Sequence, residues 1–240
     1  MLFGIIPYHY NTAQYKPTQG NTEQDQTRMS VAIEMNRHAE PARGETPRGL
    51  IEWVVAQHRK AIVTTSFGPY SAVMLHLATR VKPDIPVIWV DTGYNTLETY
   101  TYAESLIQDL QLNIQVFIPE MTAARRNALM NGIPSVDSEL HGEFTRQVKL
   151  EPFQRMLQTV KPDFWLTAIR KDETDFRKTL DVISEGPIGI TKVAPFLNWT
   201  EVDMEGYLYE HDLPQVSKYR DPTKAEDQRE CGLHTADYSI

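Results

Sequence analysis

Cysteine is almost absent from this chain: Cys231 is the only one in 240 residues. A single thiol excludes an intrachain disulfide, and it excludes a zinc or iron–sulfur centre built from four thiolates of one chain. No apolar run approaches the roughly 18 residues that a membrane span needs, and the amino terminus lacks a signal-peptide pattern. Cationic residues are in the minority, 24 Lys and Arg against 32 Asp and Glu, so the formal net charge is −8. That balance argues against nucleic acid as a partner while leaving room for a local basic pocket that takes a small anion. These absences predict a soluble, cytoplasmic protein in a reducing compartment, with no metal site. What is present is 41% hydrophobic residues, enough for a sizeable core in one large α/β domain or two small ones.

Residues 1–45 begin with a short apolar start and run on into a polar stretch rich in Gln, Asn, Thr and Glu, with little periodicity. They read as an amino-terminal arm or extension. From Thr46-Pro47, an N-cap followed by Pro at the first helical position, the pattern sharpens. Leu50, Ile51, Val54 and Val55 line one helical face. Strands are predicted at 61–65, 86–90, 113–118, 164–169 and 188–193. Helices are predicted through Val73, Met74, Leu77 and Val81, and at 97–110, 122–130, 152–160 and 201–211. Strands that are apolar throughout and alternate with helices predict an α/β fold, a doubly wound, mostly parallel sheet with helices on both faces. Ligands of such sheets bind beyond the strand carboxyl ends, where the strand order reverses. Three polar clusters fall at predicted carboxyl ends.

The first is Ser66-Phe67-Gly68-Pro69-Tyr70-Ser71, a strand-to-helix turn. Its backbone amides with Ser66 and Ser71 suit a phosphate or sulfate, although an ordinary serine-capped turn reads the same way. The second is Asp91-Thr92-Gly93-Tyr94, followed by Glu98-Thr99-Tyr100. Here Gly93 lets the backbone approach a ligand, and Asp91 or Thr92 holds a ribose or caps the next helix. The third follows the 164–169 strand: Arg170 and Arg177, seven apart, either clamp an anion or form a solvated basic face balanced by Asp172, Glu173 and Asp175. The last stretch is Arg229-Glu230-Cys231-Gly232-Leu233-His234. A cation two residues before Cys231 and an imidazole three after it favour the thiolate, against the alternative of a small buried apolar residue.

These four stretches, in this order, resemble the sulfonucleotide reductases of the PP-loop (adenine nucleotide alpha-hydrolase) superfamily over roughly residues 50–234. Ser66 to Ser71 resembles the PP-loop. Phe67 stands where ATP-cleaving members have a glycine, and Tyr70 stands where they have an aspartate beside magnesium-bound pyrophosphate. Ser-Phe-Gly instead matches members that bind an adenylyl sulfate. Glu-Cys-Gly-Leu-His is the reductases' signature, and Lys192 resembles a further basic position. The segment between the last helix and the cysteine is shorter than the family's, with 214–228 in its place.

The resemblance implies a sulfonucleotide-binding domain over 46–214 and a mobile carboxyl-terminal tail, 215–240, that carries the nucleophile. It implies attack by Cys231, supported by Arg229 and His234, on the sulfur of 3′-phosphoadenylyl sulfate held by Ser66, Phe67, Gly68, Ser71, Asp91, Thr92, Gly93, Arg170, Arg177 and Lys192. Thioredoxin or glutaredoxin then reduces the S-sulfocysteine, and the protein is expected to be a homodimer. Members preferring adenylyl sulfate commonly use extra cysteines for an iron–sulfur cluster, so a lone cysteine favours the 3′-phosphorylated substrate. A cluster-free adenylyl-sulfate reductase remains the nearest alternative. More distant ones are a PP-loop protein that only binds nucleotide and an ATP-dependent thiolation enzyme; Tyr70 and the acidic balance argue against the thiolation enzyme.

Overall fold

A computed structural model describes residues 46–224. The amino-terminal arm and Arg229, Cys231 and His234 lie outside the described residues.

Helix α1 (Pro47–Ala56) opens the fold, with the Thr46 hydroxyl accepting from the Gly49 amide as its cap. Then follow β1 (Ala61–Thr65), α2 (Ser71–Val81), β2 (Pro86–Val90), α3 (Leu97–Asp109), β3 (Asn113–Phe117) and α4 (Ala123–Met130). The second half holds α5 (Leu140–Thr145), a π-helical turn (Arg146–Leu150), α6 (Glu151–Val160), β4 (Phe164–Leu166), α7 (Asp175–Lys178), β5 (Ile183–Glu185), β6 (Thr191–Val193) and α8 (Glu201–Glu210). The six strands are ordered β3-β2-β1-β4-β6-β5. All neighbours are parallel except β5, which pairs antiparallel with β6.

The apolar strands bury both faces because side chains alternate. Val63, Val87 and Leu166 join the core formed with α1, α2, α3 and α8. Ile62, Ile88 and Trp165 turn to the other face and pack on Phe153, Met156, Leu157 and Val160 of α6. The expectation of a mostly parallel sheet covered on both sides therefore holds. From β1 the chain steps outward to β2 and β3, then returns to lay β4 on β1's other flank. The order reverses at β1, and the loop after it sits at the head of the crevice between the β2 and β4 loops.

Several elements differ from the sequence expectation. The strand expected at 164–169 ends at Leu166, and that expected at 188–193 is reduced to β6 after a 3₁₀ turn, Pro187–Gly189, in which Ile188 has φ 51°. Edge strand β5 and helices α5 and α7 were not expected. α7 is a single turn capped by Thr174, and α5 contains a glycine, so neither carries a helical repeat long enough to read. Edge strand β3 is largely exposed, not apolar throughout.

Candidate functional site

The turn after β1 has a strained backbone. Phe67 has φ 51°, the left-handed region that costs a side-chain-bearing residue about 1–2 kcal/mol. This is the position at which ATP-cleaving PP-loops have a glycine. The strain is held by packing: Phe67 is fully buried, its ring edge-on to Trp89 of β2 at 4.8 Å, and its amide donates to the Thr65 hydroxyl at 3.0 Å. Gly68 and Ser71 close the turn through the Ser71 amide, which donates to the Gly68 carbonyl at 3.0 Å. Tyr70 occupies the N-cap of α2 and makes no side-chain cap; its hydroxyl donates to Glu201 on α8 at 2.5 Å. Burial, then the bond to Glu201, pushes the Tyr70 hydroxyl up to about 12. It stays a proton donor there, so the Tyr70 position brings no negative charge to the turn.

The loop after β2 is organised by Asp91. One carboxylate oxygen accepts from the Gly93 amide at 3.0 Å, the Asn95 amide group at 3.0 Å and the Tyr100 hydroxyl at 2.9 Å. Burial and the Asp91 charge push the Tyr100 hydroxyl up to about 12, so it remains protonated and donating. Gly93 has φ 79°, and a Cβ there would lie 3.6 Å from that of Ala123, so the loop rests on the head of α4. The Thr92 hydroxyl accepts from the Tyr94 amide at 3.2 Å. Of the two sequence readings, capping of α3 does not hold for either residue: the cap is Thr96, whose hydroxyl accepts from the Thr99 amide at 3.1 Å.

Beyond β4, Arg170 and Arg177 are buried, not solvated. Glu173 pairs with both, and Asp172 accepts from Arg170 Nε at 3.0 Å. The Arg170 guanidinium lies 4.9 Å from the centroid of the Tyr70 ring, tying this flank to the β1 turn. Lys192 sits farther off, within β6. It is opposite Trp165 in register, with Nζ 5.3 Å from that ring's centroid. The β1 turn, the β2 loop and Arg170 thus converge on the sheet's carboxyl edge, with Arg177 joined through Glu173.

After α8 the chain returns across that edge. The Pro214 carbonyl accepts from Tyr102, and Glu98 accepts from the Ser217 amide at 3.1 Å, the Ser217 hydroxyl at 2.8 Å and the Lys218 amide at 3.3 Å. These bonds, led by the Ser217 hydroxyl, hold the Glu98 carboxyl below its ordinary value. The Tyr219 ring comes next to Gly68, 3.7 Å from where a Cβ would stand. At the far end Asp221 pairs with Lys149 of the π turn, both buried. The Thr223 carbonyl lies 3.3 Å from His141 Nε2. Burial pushes the Asp221 carboxyl up, but the Lys149 ammonium and the Thr223 bonds outweigh it and hold the group below its ordinary value. Residues 214–224 thus form a strap, pinned at α3 and at the π turn, that passes over the head of the crevice. A cleft of about 570 Å³ lies elsewhere, at the amino edge of β1 between α1 and α2. Three of its cations, Arg48, Arg59 and Lys82, are met by Glu52, Asp163 and Asp84, and no residue expected for the site lines it.

A family model described as the phosphoadenosine phosphosulfate reductase domain matches residues 60–221, from the start of β1 into the strap. The chain belongs to this reductase family. It is 35% identical over 210 residues to the phosphoadenosine 5′-phosphosulfate reductase of a Synechococcus strain, covering 77% of this chain and 90% of that one. It is 39% identical over 175 residues to that of a Synechocystis strain, covering 70% and 68%. Among solved structures, the phosphoadenylyl-sulfate reductase of Candida auris in a phosphate complex superposes with TM-score 0.62 at 21% identity, over 84% of this chain and 92% of that one. An FMN adenylyltransferase of Candida glabrata superposes at 0.52 and 12% identity, over 80% and 66%, a likeness of fold alone.

Sequence reasoning did not single out several residues around these loops: Tyr219 beside Gly68, the buried Lys149–Asp221 pair, and Arg126 on α4. Arg126 is 1% exposed, and its Nη1 has no hydrogen-bond partner. No motif signals any of them, because what sets each apart is packing against other elements of the fold.

Proposed function

We propose that this chain reduces 3′-phosphoadenylyl sulfate to sulfite and adenosine 3′,5′-bisphosphate in sulfate assimilation. The observation that carries the reading is positional: residues 214–224 lie over the turn after β1, and Cys231 follows seven residues after Lys224. The turn from Ser66 to Ser71 receives the 5′ phosphosulfate, and the Asp91–Gly93 loop faces the ribose. Arg170 and Arg177 lend positive potential from the β4 flank, less the share that Asp172 and Glu173 neutralise, and Lys192 contributes from β6.

The Cys231 thiolate, favoured by Arg229 and His234, attacks the sulfur of the substrate. A sulfur–sulfur bond forms, the sulfur–oxygen bond to the phosphate breaks, and adenosine 3′,5′-bisphosphate leaves with that electron pair. A protein dithiol, thioredoxin or glutaredoxin, then attacks the Cys231 sulfur and sulfite leaves. The dithiol's second thiolate displaces Cys231, so the two electrons come from the dithiol, which ends as a disulfide. With one cysteine, a chain of this kind needs that external pair. A cytoplasmic homodimer completes the reading.

The test is mass spectrometry of the purified protein after incubation with each sulfonucleotide and no reductant. A sulfo group on Cys231 from 3′-phosphoadenylyl sulfate, and none or far less from adenylyl sulfate, is expected. No adduct from either would overturn the reading.

A further inference from the structure

On the β2 side of the crevice the structure contains a buried cation that its surroundings do not neutralise. Arg126, on the first turns of α4, is 1% exposed. Two of its nitrogens meet neutral groups: Nε donates to the Gln147 side-chain oxygen at 3.0 Å and Nη2 to the Met121 carbonyl at 2.7 Å. Nη1 is buried with no hydrogen-bond partner, and no carboxylate among the described residues forms an ion pair with the guanidinium. The nearest link to negative charge runs through Gln147, whose amide donates to Glu143 at 2.7 Å, and Glu143 is already engaged twice by Arg146.

Burying a guanidinium without a counter-ion is costly, and proteins avoid it unless another anion completes the site. The contrast with the other flank is direct. Arg170 and Arg177 are as buried, but Asp172 and Glu173 meet them. The position of Arg126 also fits a ligand. The loop after β2 rests on α4 through Gly93 and Ala123. Tyr94, the next residue, puts its ring 5.9 Å from the Arg126 guanidinium carbon while its hydroxyl donates to Asn127 at 2.8 Å. Gln147 belongs to the π turn, an irregularity found often at functional sites.

We propose that Arg126 receives the phosphate monoester on the 3′ oxygen of the bound nucleotide, and so distinguishes phosphorylated from unphosphorylated ribose. The inference rests on the reading that the 5′ end sits on the β1 turn. β1 and β2 are adjacent, so a nucleoside whose 5′ end lies on one loop carries its ribose to the other. Its 3′ substituent then points away from the β4 arginines and toward α4. The half-buried Tyr94 ring covers the guanidinium and turns aside on entry. The phosphate takes the two N–H groups that Nη1 offers, supplying the negative charge the pocket lacks.

The experiment compares equilibrium binding of adenosine 3′,5′-bisphosphate and adenosine 5′-monophosphate to the unaltered chain and to Arg126→Met, with melting curves confirming the fold. The unaltered chain is expected to bind the bisphosphate about tenfold more tightly or better, the ordinary worth of a charged hydrogen-bonded contact. Arg126→Met is expected to lose that preference while its affinity for the monophosphate stays within twofold. A variant that retains the preference, or loses affinity for both nucleotides equally, overturns the assignment of Arg126 alone. An unaltered chain that binds neither nucleotide overturns the function reading and this inference with it. Should Arg126→Met fail to fold, Arg126→Lys decides: it keeps the charge and loses the fork, and its preference must fall at least threefold.

Discussion

Lys149→Met offers the sharpest test of the strap. The change keeps most of the buried stem and removes the ammonium from Asp221, whose side chain is 6% exposed against 8% for Lys149. Removing one partner of a buried ion pair costs about 3–5 kcal/mol, because the other charge is left in a poorly solvated place. Asp221 has an escape, however: residues 214–224 follow α8 and belong to no strand, so they can lift off without unfolding the sheet. The global loss is therefore capped at what the strap contributes, and the remainder appears as local opening. A penalty of about 3 kcal/mol raises the open population of the strap about a hundredfold. Amide exchange at Val216 to Thr223 reads this directly, beside a urea melt that reads the body. Asp221→Asn should open the strap too, and the double variant should recover most of the protection because neither charge remains. Exchange unchanged in Lys149→Met, or a double variant equal to the sum of its singles, would refute the argument. The pH dependence has a definite sign. The Asp221 carboxyl is held below its ordinary value of about 3.9 in the closed strap. The open form therefore takes up the proton first. The stabilisation is complete above about pH 5, falls as pH drops through the ordinary value, and is gone below the depressed one.

Three further outcomes follow from the site. Phe67→Ala should destabilise by about 3–5 kcal/mol through the lost ring, and Phe67→Gly by about 1 kcal/mol less, since glycine accepts φ 51° without strain; urea midpoints in the opposite order would deny the left-handed turn. Glu173→Gln removes the carboxylate shared by two buried arginines, so the melting temperature should fall and added sulfate should restore more of it than in the unaltered chain. Cys231→Ser should abolish sulfite release and the sulfo adduct while binding of adenosine 3′,5′-bisphosphate stays within about twofold, the latter followed by calorimetry.

The fold was legible where the period of the sequence is long and apolar. The strands at 61–65 and 86–90 and the helix from 97 stand within a residue of their expected bounds because burial, alternation and a Thr cap all agree. The three carboxyl-end clusters were legible because a switch point follows from strand order. The pairing that surrounds them was not. Arg170 and Arg177 read as either a clamp or a wet basic face, and only the fold shows Glu173 between them in a buried setting. Asp91 resembles a helix cap in sequence, yet it spends its carboxylate on its own loop and on Tyr100, four residues inside the helix that Thr96 caps. Lys149, Asp221 and Arg126 carry no motif, since what distinguishes them is desolvation by elements 70 or more residues away for the first two and by the β2 loop and π turn for the third.

The fastening of Lys224 sets a leash. Its amide donates to the Asp221 carbonyl at 3.1 Å and Asp221 pairs with Lys149, so with the strap closed the chain continues from a fixed point. Seven residues span at most about 25 Å. With the strap closed, a chain of that length keeps the sulfur of Cys231 within that distance of Lys224, plus its own short side chain. On the proposed function, a dithiol protein that collects the sulfo group then meets this molecule at its carboxyl rim. The geography of that encounter is decided by where the leash is tied.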